Sequence, residues 1–286
     1  MSTTTAHPTP SGSPASPPRP AIAKPVTLGR VMRSEWIKLR SLRGTWIFLL
    51  AIVVVLAGFG AIAAAVSSGS VSTPDNGGPQ FGGDDPLSTV LTGATFATLL
   101  VGVLGALAGA REHASRMITA TMAATPRRWP VVVAKAGVLS MLVLPAAAIG
   151  TIGAFGLGMG VLAANDAATV GLGDDGVLRS LVGMALYLTA VALIGLGLGL
   201  LMRSVAASIG TLAAGVLIVP ALAGALLPES WDGVLQLLPT NAAAGFTAVQ
   251  ASTDQVLGPV TGALVLAAWV VVILGGATLS TVRRDV

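Results

Sequence analysis

Apolar positions in this chain do not alternate with polar ones; they fall into long blocks. Charge-free runs occupy residues 44–74, 86–110, 136–165, 180–202, 204–228 and 255–282. Each is long enough for the ~20 helical residues that cross roughly 30 Å of hydrocarbon. Lipid offers the backbone no hydrogen-bonding partner, so such runs must be helical. The pattern predicts an all-α integral membrane protein with six transmembrane helices. A seventh run, 233–253, is also uncharged, but it carries Gln236, Pro239, Thr240, Asn241, Gln250 and Ser252. Burying those groups in lipid without partners is costly, which predicts an interfacial or outer re-entrant segment before the last span.

A different periodicity precedes the first span. At 100° per residue, Leu28, Val31, Met32, Trp36, Leu39 and Leu42 share one arc, while Arg30, Arg33, Ser34, Lys38, Arg40 and Ser41 share the other. This is the pattern of a basic amphipathic helix lying in the headgroup plane, predicted over 27–43. Glu35 falls inside the apolar arc. It either pairs with Lys38 three residues on or reaches an adjacent helix or a partner subunit. Residues 1–26 hold Pro8, Pro10, Pro14, Pro17, Pro18, Pro20 and Pro25 among Ser, Thr and Ala, a composition that predicts a disordered tail and no signal peptide. The expected organisation is thus a tail at 1–26, an interfacial helix at 27–43 and a six-span membrane domain at 44–286.

Composition agrees with this division. Of 286 residues, 53% are apolar and 10% charged, against about 25% charged in soluble proteins, which excludes a soluble domain. Cysteine is absent, excluding disulfides, thiolate metal sites and thiol nucleophiles. Basic residues collect in short cytoplasmic loops, and six spans with an inside amino terminus place 15 of the 16 Lys and Arg on that side, leaving only Arg179 outside. The acids sort oppositely, with only Glu35, Glu112 and Asp285 inside. Both termini are therefore expected to be cytoplasmic, and the pI of about 10.3 reflects orientation and anionic lipid rather than a nucleic-acid groove. Arg outnumbers Lys 13 to 3 amid abundant Ala and Gly, pointing to a high-GC bacterium and hence its cytoplasmic membrane.

Little catalytic chemistry is present. The six runs contain no carboxylate, His or Lys, the residues that mark ion pathways in membranes. The two His residues are His7, in the tail, and His113, at a helix end. Asp84 with Asp85 and Asp174 with Asp175 sit in Gly-rich outer loops, where solvated loop charge explains them. No GxxxxGK[ST] phosphate loop occurs, so any driving ATPase is another chain, and no cofactor is expected on this one. Gly105 and Gly109, Gly156 and Gly160, and Gly195 and Gly199 form GxxxG pairs suited to close helix packing.

The linker REHASRMITATMAATPRRWPVVVAK, 111–135, is longer than a simple connection needs, and its first part is free of Pro and Gly up to Pro126. Together with SEWIKLRSLRGTW before the first span, it resembles the membrane subunit of type-2 ATP-binding-cassette transporters. The family's Glu-x-x-Lys is matched by Glu35 and Lys38. Its loop after span two is matched by Glu112, Ile118-Thr119, Pro126, Arg128 and Lys135, with the usual Gly replaced in Arg116-Met117-Ile118. Leu237-Leu238-Pro239-Thr240 is similar to the family's outer re-entrant hairpin. The resemblance implies an ATPase-coupling loop over Glu112, His113, Arg116, Ile118, Thr119, Pro126 and Arg128. It also implies an interfacial helix presenting Arg30, Arg33, Glu35, Trp36, Lys38 and Arg40. The implied partners are a separate ATPase carrying ATP and magnesium and a second copy or paralogue of the chain. The implied substrate is apolar or amphipathic, a drug, lipid or natural product. The alternatives are an ion-independent channel or facilitator and a non-transporting membrane scaffold.

Overall fold

The computed structural model of the protein describes residues 27–71, 85–114, 129–249 and 257–283. These contain helices and connections but no strand. Six helices among them are long and apolar enough to cross a membrane, and they correspond to the six charge-free runs.

The first element, α1 (Leu28–Ser41), is a 14-residue helix that meets α2 (Arg43–Ser67) at Leu42, whose extended backbone (φ −83°, ψ 111°) breaks the helix in one residue. Trp46 Nε1 donates to Arg40 O across this elbow at 3.0 Å. The second run is divided. Its beginning forms a short helix, α3 (Pro86–Val90), and its remainder forms α4 (Ala94–Ala114). Asp85 caps the start of α3: its side chain accepts from Ser88 N at 2.8 Å, and Pro86 follows at the first helical position, where its missing N–H costs nothing; a turn at residues 91–93 then separates α3 from α4. The third run extends backwards into α5 (Trp129–Ala164), 36 residues with Pro145 inside. Lys135 therefore belongs to the helix itself.

Helix α6 (Val177–Met202) is the hub. It packs against α4, α5, the fifth span and the last span, and 67% of its apolar window is buried. It ends at Arg203, whose left-handed backbone (φ 55°) lets its N–H return to Gly199 O at 3.2 Å. The fifth span, α7 (Val205–Leu226), contains a π-helical turn at Ala214–Ile218. Proline explains what that turn leaves open. In α geometry the donor to Val216 O would be the N–H of residue 220, and Pro220 has none. The freed carbonyl accepts instead from Thr240 Oγ1, at 2.6 Å.

Run 233–253 is no seventh span. Its described part forms α8 (Asp232–Leu235) and α9 (Pro239–Thr247), and nine residues at about 1.5 Å each are too short to cross. Its polar groups find protein partners: Asn241 Nδ2 donates to Leu235 O at 2.9 Å, and α9 packs against α6 and the last span, α10 (Pro259–Arg283). Both α7 and α10 lie at the periphery, with only 17% of each apolar window buried.

The GxxxG pairs do not behave alike. Gly105 and Gly109 on α4 face Gly195 and Gly199 on α6. A Cβ on Gly199 would sit 2.6 Å from Ala106 O and 3.0 Å from Gly109 Cα, which side chains other than hydrogen would not permit. Gly156 and Gly160 on α5 face outward with nothing within 4 Å.

Candidate functional site

Two helices, α1 and α5, meet at Glu35. Helix α1 presents Val31, Glu35 and Leu39 from one face, and Val31 packs with Val131 and Ala134 at the start of α5. The carboxylate is 2% exposed. Its Oε1 accepts from Lys38 Nζ and its Oε2 from Lys135 Nζ, each at 2.7 Å. Both sequence expectations for Glu35 therefore hold together, local pairing with Lys38 and contact with an adjacent helix. Lys135 is 6% exposed. The pairing explains why an acid sits in the apolar arc: lipid could not supply the counter-charge that α5 supplies.

Beside this cluster lies a partly open cavity of about 560 Å³ between α1, α2, α4 and α5. Among the described residues its charged lining is Glu35, Lys38, Arg111 and Lys135; Phe48, Leu104 and Leu107 form much of its apolar wall. The remaining residues of the expected interfacial helix lie elsewhere on α1. Arg30, Arg33 and Arg40 are exposed, and Trp36 is half-buried against the main core. Of the expected coupling loop, Glu112 and His113 lie in the last turn of the α4 backbone. Arg116, Ile118, Thr119, Pro126 and Arg128 lie outside the described residues.

Arg179, the one basic residue that the charge distribution leads one to expect outside, has a structural task. Arg179 Nη2 donates to Ala248 O at 3.0 Å and Val249 O at 3.2 Å, where α9 ends and its last carbonyls need donors. Ser180 Oγ donates to Thr247 O. Asp174 Oδ2 likewise accepts from Gly171 N at 2.8 Å, so this acid organises its own loop. Between α6, α9 and α10 runs an apolar groove of about 830 Å³, walled by Val182, Leu186, Phe246 and Leu264, with Arg179 its one charged residue among the described residues. Sequence reasoning missed the role of Arg179, although its isolation among acids was the available signal.

No family model and no curated protein matches the chain.

Proposed function

We propose that this chain is the membrane-spanning permease subunit of an ATP-binding-cassette transporter, exporting an apolar or amphipathic substrate with ATP hydrolysed by a separate ATPase. In this reading the protein resides in a bacterial cytoplasmic membrane with both termini inside. Helix α1 lies along the inner interface, and α8 with α9 forms the outer re-entrant segment. A second copy or a paralogue pairs with it, ATP and magnesium are held by the partner ATPase, and the exposed faces of α7 and α10 are available to that second permease or to lipid.

The observation that carries the reading is the Glu35–Lys135 ion pair. It ties the amino-terminal helix to the base of α5, directly after the linker in which the coupling residues fall. A push on that linker from an ATPase would reach α1 and α5 as one body rather than as two independently sliding helices. The apolar groove beneath α9 supports a substrate without net charge along the path.

The test is Glu112→Lys, expressed beside the cognate ATPase. If Glu112 meets a basic residue of the ATPase, reversal replaces attraction by repulsion, at a cost of several kcal/mol in a desolvated contact. Copurification of the two subunits and substrate export should both fall sharply while membrane insertion is kept. Wild-type values for both would remove Glu112 from the coupling surface and favour the channel or scaffold alternative.

A further inference from the structure

We propose that the groove between α6, α9 and α10 holds one acyl chain of a membrane phospholipid, whose phosphate is bound by the guanidinium of Arg179. The inference requires only that the six apolar helices lie in a bilayer, and it stands whether or not the chain is a permease. Three features carry it. The first is the state of Arg179. Its Nη2 donates to the carbonyls of Ala248 and Val249, which fix the side chain but carry no formal charge. A guanidinium has five N–H donors, and among the described residues those on Nε and Nη1 have no protein acceptor. No carboxylate among the described residues forms an ion pair with it, and the residue is exposed. A cation held in place with its charge unmatched suits a phosphate, whose oxygens accept from guanidinium N–H groups in short, charge-assisted bonds.

The second feature is what adjoins that cation. Val182, Leu186 and Ala190 of α6 face Leu264 and Ala267 of α10 across the groove, and Phe246 of α9 lines it too. Val182, Leu186 and Leu264 are exposed although large and apolar. A ligand that fits both parts must carry an anion at one end and hydrocarbon at the other. The third feature is length. Arg179 is the third residue of α6 and Pro259 the first of α10, so the groove begins where both helices begin. From Arg179 to Ala190 it descends by 11 helical residues, about 16 Å at 1.5 Å each, close to half of the roughly 30 Å of hydrocarbon in a bilayer. That is the depth of a single leaflet, the reach of one acyl chain whose phosphate stays at the surface. The volume of about 830 Å³ also falls within the ~300–1,000 Å³ usual for small-molecule sites.

The test uses the full-length protein in detergent, with native mass spectrometry to count retained lipid after adding phosphatidylethanolamine or a diacylglycerol with the same chains, which lacks only the phosphate headgroup. Wild-type protein should retain phosphatidylethanolamine over diacylglycerol by about tenfold or more, the scale of one hydrogen-bonded contact to a charged group. Arg179→Gln, whose amide can still donate toward α9, should bring that ratio close to one. Ala267→Leu, which narrows the groove without changing charge, should lower retention of both lipids and decides the matter if Arg179→Gln does not fold. Arg203→Asn, which removes a cation at the α6–α7 connection in a residue type that tolerates its left-handed backbone, should leave retention unchanged. Equal retention of the two lipids by wild type, or wild-type retention in Ala267→Leu, would overturn the proposal. A wild-type dimer that carries no lipid and falls to monomer in Ala267→Leu would make the groove a surface between copies of the chain and overturn the lipid assignment.

Discussion

At the residue scale, the two lysines on Glu35 differ in what their loss should cost. Lys38 keeps about a third of its side chain exposed, and an ion pair so placed contributes only about 0.2–1 kcal/mol. Lys135 is almost wholly enclosed, as is Glu35. Removing one member of a buried pair costs about 3–5 kcal/mol, whereas replacing both by apolar residues of similar volume is often neutral. Thermal unfolding in detergent should therefore show Glu35→Leu and Lys135→Met each strongly destabilised, Lys38→Ala barely affected, and Glu35→Leu/Lys135→Met largely restored. Singles and double with equal melting points would mean that the pair does not fix α1 to α5. The sequence placed Glu35 on the apolar arc and identified Lys38 as a neighbour. It could not choose between a local and a distant partner, because the hundred residues between Glu35 and Lys135 acquire their proximity only from helix packing.

At the scale of the element, three identical GxxxG spacings meet two different surroundings. On α4 and α6 the glycines let two backbones touch. A methyl group at Gly105 or Gly199 must push the helices apart, and overpacking of this kind costs about 1–3 kcal/mol. On α5, Gly156 and Gly160 face open space, where Ala gains about 0.5–1 kcal/mol of helix propensity over Gly. Gly199→Ala should lower the melting temperature and Gly156→Ala should hold or raise it, and a fall of equal size in both would show that α5 uses its pair in an interface as close as that of α4 with α6. This distinction was invisible in the sequence, since spacing records which residues share a face but not what that face meets. The division between α3 and α4 was hidden for a similar reason: it falls in a turn at residues 91–93 inside one uninterrupted apolar run.

At the scale of the molecule, the run lengths alone delivered the six membrane-capable helices, because each needed no more than its own length and lack of charge. Side is a separate matter, argued from the distribution of Lys and Arg. In the Cys-free chain, a Cys at Ser2 or Val286 should resist an impermeant thiol reagent in intact cells, and a Cys at Asp232 should react. Labelling at either terminus would invert or break that arrangement. The π turn in α7 adds a mechanical property to this six-helix body. The carbonyl of Val216 accepts from Thr240 of α9, because the residue that would donate to it in α geometry is Pro220. The hydroxyl of Thr240 is thus a clasp on the widened turn of the fifth span, fastening α9 to it at Val216.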